Sequence, residues 1–172
     1  MLLEEVAYAV CTCLNNQGIT AVLTGGSAAT VYAPNAYQSR DLDFVIEFAT
    51  GAASGAEVLN ELGFTNFQST YRSALTPFTL DFPAGPLAVG DELITTWNTV
   101  TNENLILNII TQTDSVRDRL AWFYFANDYG ALAAAVGVAK ANPVDLDLVR
   151  IWSQKENSLE KFEVFLRRLE RV

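Results

Sequence analysis

Two aspartates one residue apart, Asp41 and Asp43, stand in the run DLDFVIEF at residues 41–48. In an extended strand, side chains two apart share a face, about 6.5–7 Å apart at the backbone. Two carboxylates at that spacing resist joint ionisation unless a counter-charge sits between them. Magnesium suits the role, taking one or two protein carboxylates and completing its shell with water and substrate phosphates. A third acid, Asp81, lies in the alternating run TPFTLDF, opposite Phe78, Leu80 and Phe82. If the two strands are neighbours in register, three carboxylates meet. Two-metal chemistry, or one metal with a base, then comes within reach. The Asp-x-Asp spelling alone is weak, because such pairs are common at strand edges and turns.

The second chemical feature is a glycine turn. The apolar run ITAVLT (19–24) meets Gly25 and Gly26, and Ser27 opens the short helical stretch SAATVY. Backbone N–H groups at a helix start form an anion site, and glycine lets a phosphate approach the chain closely. The plainer reading is a tight turn that needs positive φ. No Gly-Lys-Ser/Thr follows and no GxGxxG is present, so neither a P-loop nor a dinucleotide fingerprint is spelled here.

These residues need elements to hold them. Leu3, Val6, Ala7, Val10 and Leu14 repeat at three- and four-residue spacing, predicting an amphipathic helix over 2–16. Strands are predicted at 19–24, 41–48 and 76–82, with Asp41, Asp43, Val45 and Glu47 facing away from Leu42, Phe44, Ile46 and Phe48. Residues 49–55 read as a small-residue loop, 56–62 as a helix and 63–67 as a turn or short strand. Residues 92–97 and 104–111 read as a further strand pair. From Thr113, taken as an N-cap, the pattern becomes helical, with helices at 128–140, from Asp145, and at 157–171. No repeat or low-complexity segment is visible. The expected fold class is α/β (α+β). A mixed sheet with flanking helices fills residues 1–112, and a helical region, 113–172, packs on it.

Composition narrows the chemistry. The 172 residues are half hydrophobic, which is globular, and carry 20 acidic against 11 basic groups, a net charge of −9. That balance argues against general DNA binding and against anionic membranes. Histidine is absent, which removes Ser-His-Asp triads, Cys-His pairs and imidazole-bound zinc. Cys11 and Cys13, two apart on a helix, diverge and read as small packing residues. Glu4 and Glu5 stand where a secretory signal would be basic, and no apolar run nears ~18 residues. A soluble, cytoplasmic protein is expected.

Leu23-Thr24-Gly25-Gly26-Ser27, then thirteen residues, then Asp41-Leu42-Asp43-Phe44, then Thr79-Leu80-Asp81-Phe82, resembles the nucleotidyltransferase superfamily related to DNA polymerase β. The wording GGSAAT and QSRDLDF is most similar to the AbiEii-type branch of toxin–antitoxin and abortive-infection systems. The resemblance covers residues 19–82. It implies that Asp41 and Asp43 bind Mg²⁺ or Mn²⁺, and that Asp81 completes the metal site or takes a proton from the attacking hydroxyl. It also implies that Gly25, Gly26 and Ser27 hold phosphate oxygens of an NTP. Arg119 and Asp128 are the nearest counterparts of a later basic residue and acid; the branch typically has Lys where Arg119 stands. Arg40 either contacts phosphate or is a solvated loop charge. The implied reaction moves an NMP to a hydroxyl of RNA, protein or a small molecule, with a cognate protein as a further partner. Two alternatives stay open: a non-catalytic module binding a nucleotide or protein, and an interaction domain whose acids only keep it soluble.

The remaining features read plainly. Trp97, Trp122, Trp152 and the 123–125 aromatics are expected in a helix–helix core rather than as a base-stacking platform. Asp145 and Asp147 begin a helix and read as caps, Glu47 as too distant to be a ligand, and Arg72 and Arg117 as available charges. The cations at 167–171 suit a helix C-terminus.

Overall fold

A computed structural model describes residues 2–50 and 54–171. Of the loop expected at 49–55, residues 51–53 lie outside the described residues.

The chain opens with α1 (Leu3–Asn16), whose Leu3, Val6, Val10 and Leu14 are buried at the predicted spacing. β1 (Ile19–Thr24) is an interior strand of small and branched side chains, and α2 (Gly25–Tyr32) begins at the first glycine. β2 (Asp41–Ala49) returns antiparallel to β1, from Ile19 opposite Ala49 to Thr24 opposite Asp43. After α3 (Gly55–Glu61), capped by Ser54, come the short strands β3 (Thr65–Phe67), β4 (Thr70–Arg72) and β5 (Thr79–Asp81). β6 (Ala88–Val89) and β7 (Glu92–Leu93) form a separate two-stranded ribbon. β8 (Asn98–Asn102) and β9 (Leu105–Ile109) form a hairpin. Seven strands make one mixed sheet in the order β3-β4-β5-β2-β1-β9-β8. The fold is α/β with flanking helices, as the patterning implied.

Four helices follow: α4 (Gln112–Ala126), α5 (Tyr129–Ala141), α6 (Leu146–Lys155) and α7 (Leu159–Leu169). They are not a detached bundle. α4 and α5 both pack on α2, α6 packs on α4, and α7 packs on α5 and α6. Trp152 is 1% exposed and stacks on Tyr124, whose hydroxyl bonds Ser153. No helix among the described residues is long and apolar enough to cross a membrane.

Several boundaries differ from expectation. The predicted strand at 92–97 splits: Glu92 and Leu93 pair with the β6 ribbon, and β9's partner is Asn98–Asn102. Local alternation cannot choose between these partners. α4 is capped by Thr111, whose Oγ1 accepts the Asp114 N–H, while Thr113 lies inside the helix and caps nothing of its own. Instead Thr113 Oγ1 accepts the Asp145 N–H at the start of α6. The apolar face of β2 holds at Leu42 and Phe44, but Ile46 and Phe48 reach solvent beside a register shift in the pairing with β1. Such a shift adds a residue to one strand and changes the face presented. Arg117 is not free: it is buried, paired with Asp114 and with Glu92 at 2.6 Å each. Arg72 lies over the Phe67 ring.

Truncating Trp152→Ala should cost about 3–5 kcal/mol by urea denaturation, as large core deletions do. Phe48→Ala, at a side chain 63% exposed, should change stability by no more than about 0.5 kcal/mol.

Candidate active site

β2 is parallel to β5, with Asp41 opposite Thr79, Leu42 opposite Leu80 and Asp43 opposite Asp81. Leu42 and Leu80 point into the core and are fully buried. The alternating acids therefore rise on the other face, where Asp41, Asp43 and Asp81 each place a carboxylate oxygen within 4.8 Å of the others. The condition set on the sequence, that the two strands be neighbours in register, is met.

The glycine turn touches this cluster. Gly25 has φ +66°, a conformation that L side chains rarely adopt, and a Cβ there would collide with Asp43 Oδ2. A Cβ on Gly26 would come within 3.1 Å of the Tyr37 ring and 3.2 Å of Ser39 Oγ. Gly25 thus lets the first turn of α2 sit against Asp43, and Gly26 lets it sit against Tyr37 and Ser39. Thr24, the N-cap, makes no side-chain capping bond, so its side chain leaves the first-turn N–H groups unclaimed.

Ser27 has a different place from the one expected. It is fully buried, its hydroxyl donates to Thr24 O (2.7 Å) and accepts the Asp43 N–H (3.2 Å). It ties β2 to α2 and is absent from the cavity wall. Arg40 is exposed and also outside that wall. Asp41 Oδ1 accepts the Ser39 hydroxyl at 2.8 Å, and the Ser39 N–H in turn bonds Thr30 Oγ1 on α2. Glu47 accepts the Leu87 N–H and takes no part in the acid cluster.

A cavity of about 400 Å³, within the range of small-ligand sites, opens over Asp41 and Asp43, while Asp81 is not among its lining residues. Thr24 to Gly26, Tyr37 and Ser39 form its wall on one side, and Asp41 and Asp43 belong to it. Pro83, just beyond Asp81, and Asp118, Arg119, Trp122 and Asp128 complete it. Arg119 is 8% exposed, and its Nε and Nη2 donate to Asp118 Oδ2 at 3.0 and 2.7 Å. Asp128 caps α5 by accepting the Ala131 N–H, as Asp145 caps α6. A larger cavity, about 530 Å³ around Ser158 and Lys161, holds no convergent acids.

Charge accumulates here. Burial lifts the Asp43 carboxyl to about 6, and Asp41 and Asp81 push in the same direction while Arg119 opposes them. Burial, then Asp41, also raises Asp81. Three oxygens this close, with one group already half protonated near pH 6, fit a hard divalent cation that takes oxygen ligands. Sequence reasoning missed Tyr37, Ser39, Asp118 and Trp122. Ser39 lies in the loop before β2, two residues from Asp41, whose carboxylate accepts its hydroxyl. Nothing local marks the other three, and Trp122, expected in the core, is 54% exposed. No family model matches the chain, and no curated protein matches it either.

Asp43 has its folded pKa raised from 3.8 to about 6. The stability linked to that proton is complete below pH 3.8 and lost as pH rises through about 6. In metal-free buffer, Asp43→Asn should exceed wild type by roughly 1–2 kcal/mol at pH 7, discounted for the open face. The gap should close near pH 4, as read by denaturation at each pH. A constant gap would contradict the charge crowding. Gly25→Ala should cost about 1–3 kcal/mol, from its positive φ.

Proposed function

We propose that this protein is a metal-dependent nucleotidyltransferase that moves an NMP from an NTP to a hydroxyl acceptor. The observation that carries the reading is the meeting of Asp41, Asp43 and Asp81 on adjoining strands beside the uncapped first turn of α2. The resemblance of residues 19–82 to the polymerase β superfamily points the same way.

Asp41 and Asp43, with Asp81, would hold Mg²⁺ or Mn²⁺. A bound cation supplies charge neutralisation for the triphosphate and polarises its oxygens. The N–H groups at Gly25 and Gly26 bind phosphate oxygens. Asp118 occupies Nε and Nη2 of Arg119, which leaves Nη1 to meet another phosphate oxygen. The acceptor oxygen attacks the α-phosphorus, the bond from that phosphorus to the bridging oxygen breaks, and pyrophosphate leaves. Asp81 would complete the metal site or take the proton of the acceptor hydroxyl. The acceptor stays open among RNA, protein and a small molecule. A cytoplasmic setting goes with the use of NTP, and a cognate toxin–antitoxin partner rests on the resemblance alone.

One observation favours a second reading, a non-catalytic module that binds a nucleotide or protein. Four acids line the cavity, and Arg119 is the one cation among the described residues that does so, already held by Asp118. Calorimetry separates the readings. NTP binding should need Mg²⁺ and weaken at least about tenfold in Asp41→Ala/Asp43→Ala, a loss of about 1.4 kcal/mol. Equal binding with and without metal in both proteins would refute the site. Labelled NTP with mixed RNA and protein then reports transfer; tight binding with no label moved selects the non-catalytic module.

A further inference from the structure

α4 presents one continuous stripe at the cavity. Asp118 and Arg119 line the acidic cavity, and Trp122, one turn further on, lines it as well. Trp122 also lines an adjoining cavity of about 280 Å³ with Ala121, Phe125 and Ala126. Arg119 and Trp122 are three residues apart, about 4.5 Å along the helix axis, and Phe125 follows by the same step. The neighbours Phe123 and Tyr124 are buried at 2% and 5%, so α4 has its core anchors elsewhere. Trp122 and Phe125 are instead 54% and 62% exposed. An exposed indole at the mouth of the acidic cavity, running into an apolar hollow, suits a ligand that carries a metal-bound phosphate at one end and a flat aromatic group at the other.

We infer that Trp122 is the stacking platform for the nucleobase of the bound NTP, with the apolar hollow along Phe125 receiving the base. This rests on the nucleotide reading of the acid site and goes beyond it by assigning the base end of the substrate. It also defines the substrate class. Ala121, Phe125 and Ala126 carry no side-chain hydrogen-bonding group, and the indole N–H is the one polar group Trp122 brings. Such a wall reads the π-face of a base rather than its edge. The protein therefore accepts all four NTPs, with purines favoured by their larger stacking area.

The test measures binding of ATP, GTP, CTP, UTP and inorganic tripolyphosphate, each with Mg²⁺, to the full chain. The wild type should bind the NTPs about tenfold or more tighter than tripolyphosphate, from the gain of one stacked base. Trp122→Ala should remove that advantage and leave tripolyphosphate binding unchanged, and Trp122→Phe should restore most of it. If tripolyphosphate binds and the NTPs bind no tighter, the platform is overturned while the phosphate site stands. If neither class binds, the nucleotide reading fails and the platform fails with it. An equal loss of tripolyphosphate binding in Trp122→Ala would mean distortion of the cavity and would also overturn the assignment. So would a preference above about a hundredfold for one base, which requires hydrogen bonding to its edge.

Discussion

The parallel pairing of β2 with β5 sets Asp43 opposite Asp81 and brings Asp41 to the same face. Three like charges are thereby drawn together, an arrangement that costs free energy unless a proton or cation offsets it. The surroundings are built to hold it. Ser27 fixes the Asp43 backbone, Ser39 fixes one oxygen of Asp41, and Thr30 fixes Ser39. All three of these contacts trace back to α2 or to the loop that follows it. β1 and β2 pair antiparallel alongside, so the strand that ends in the glycine turn is also the strand that borders Asp43.

The other half of the cavity is supplied by α4, and α4 is held by polar bonds as well as by packing. Arg117 joins it to the β6–β7 ribbon through Glu92, which Lys155 of α6 also meets. At its other end Lys161 of α7 donates to Phe123 O, Tyr124 O and Asn127 Oδ1, a cation placed where a helix C-terminus favours one. The segment carrying Asp118, Arg119 and Trp122 is thus clamped at both ends. This gives the C-terminal helices a role at the cavity as well as in the core. Asp128 at the head of α5 extends that role.

Electrostatically the site is lopsided. Among the described residues four acids and one cation, Arg119, line the cavity, so the proposed triphosphate would bring further negative charge to an acidic wall. On the proposed reading the imbalance would make metal a condition of binding, because the carboxylates would otherwise repel a triphosphate. The first turn of α2 adds favourable dipoles without adding charge. Asp118 keeps Arg119 oriented at the cost of part of its field.

Residue order and periodicity determined much of this protein: α1, the two long strands, the glycine turn between them, the alternation that puts Asp41, Asp43 and Asp81 on polar faces, and the helical second half. These are local properties, set by side-chain period and by turn chemistry within about ten residues. What the tertiary structure decided is partnership. The sequence contained Asp81 but not its neighbour, and a register is chosen by pairing across a sheet, not along a strand. It contained Ser27 as a phosphate candidate, but only the approach of β2 shows the hydroxyl spent on Asp43. It contained Trp122 within an aromatic run that reads as core. Which face of α4 meets the core depends on α2, α5 and α6 packing around it, and they leave Trp122 outside. Local chemistry named the acids; long-range packing gathered them into a site.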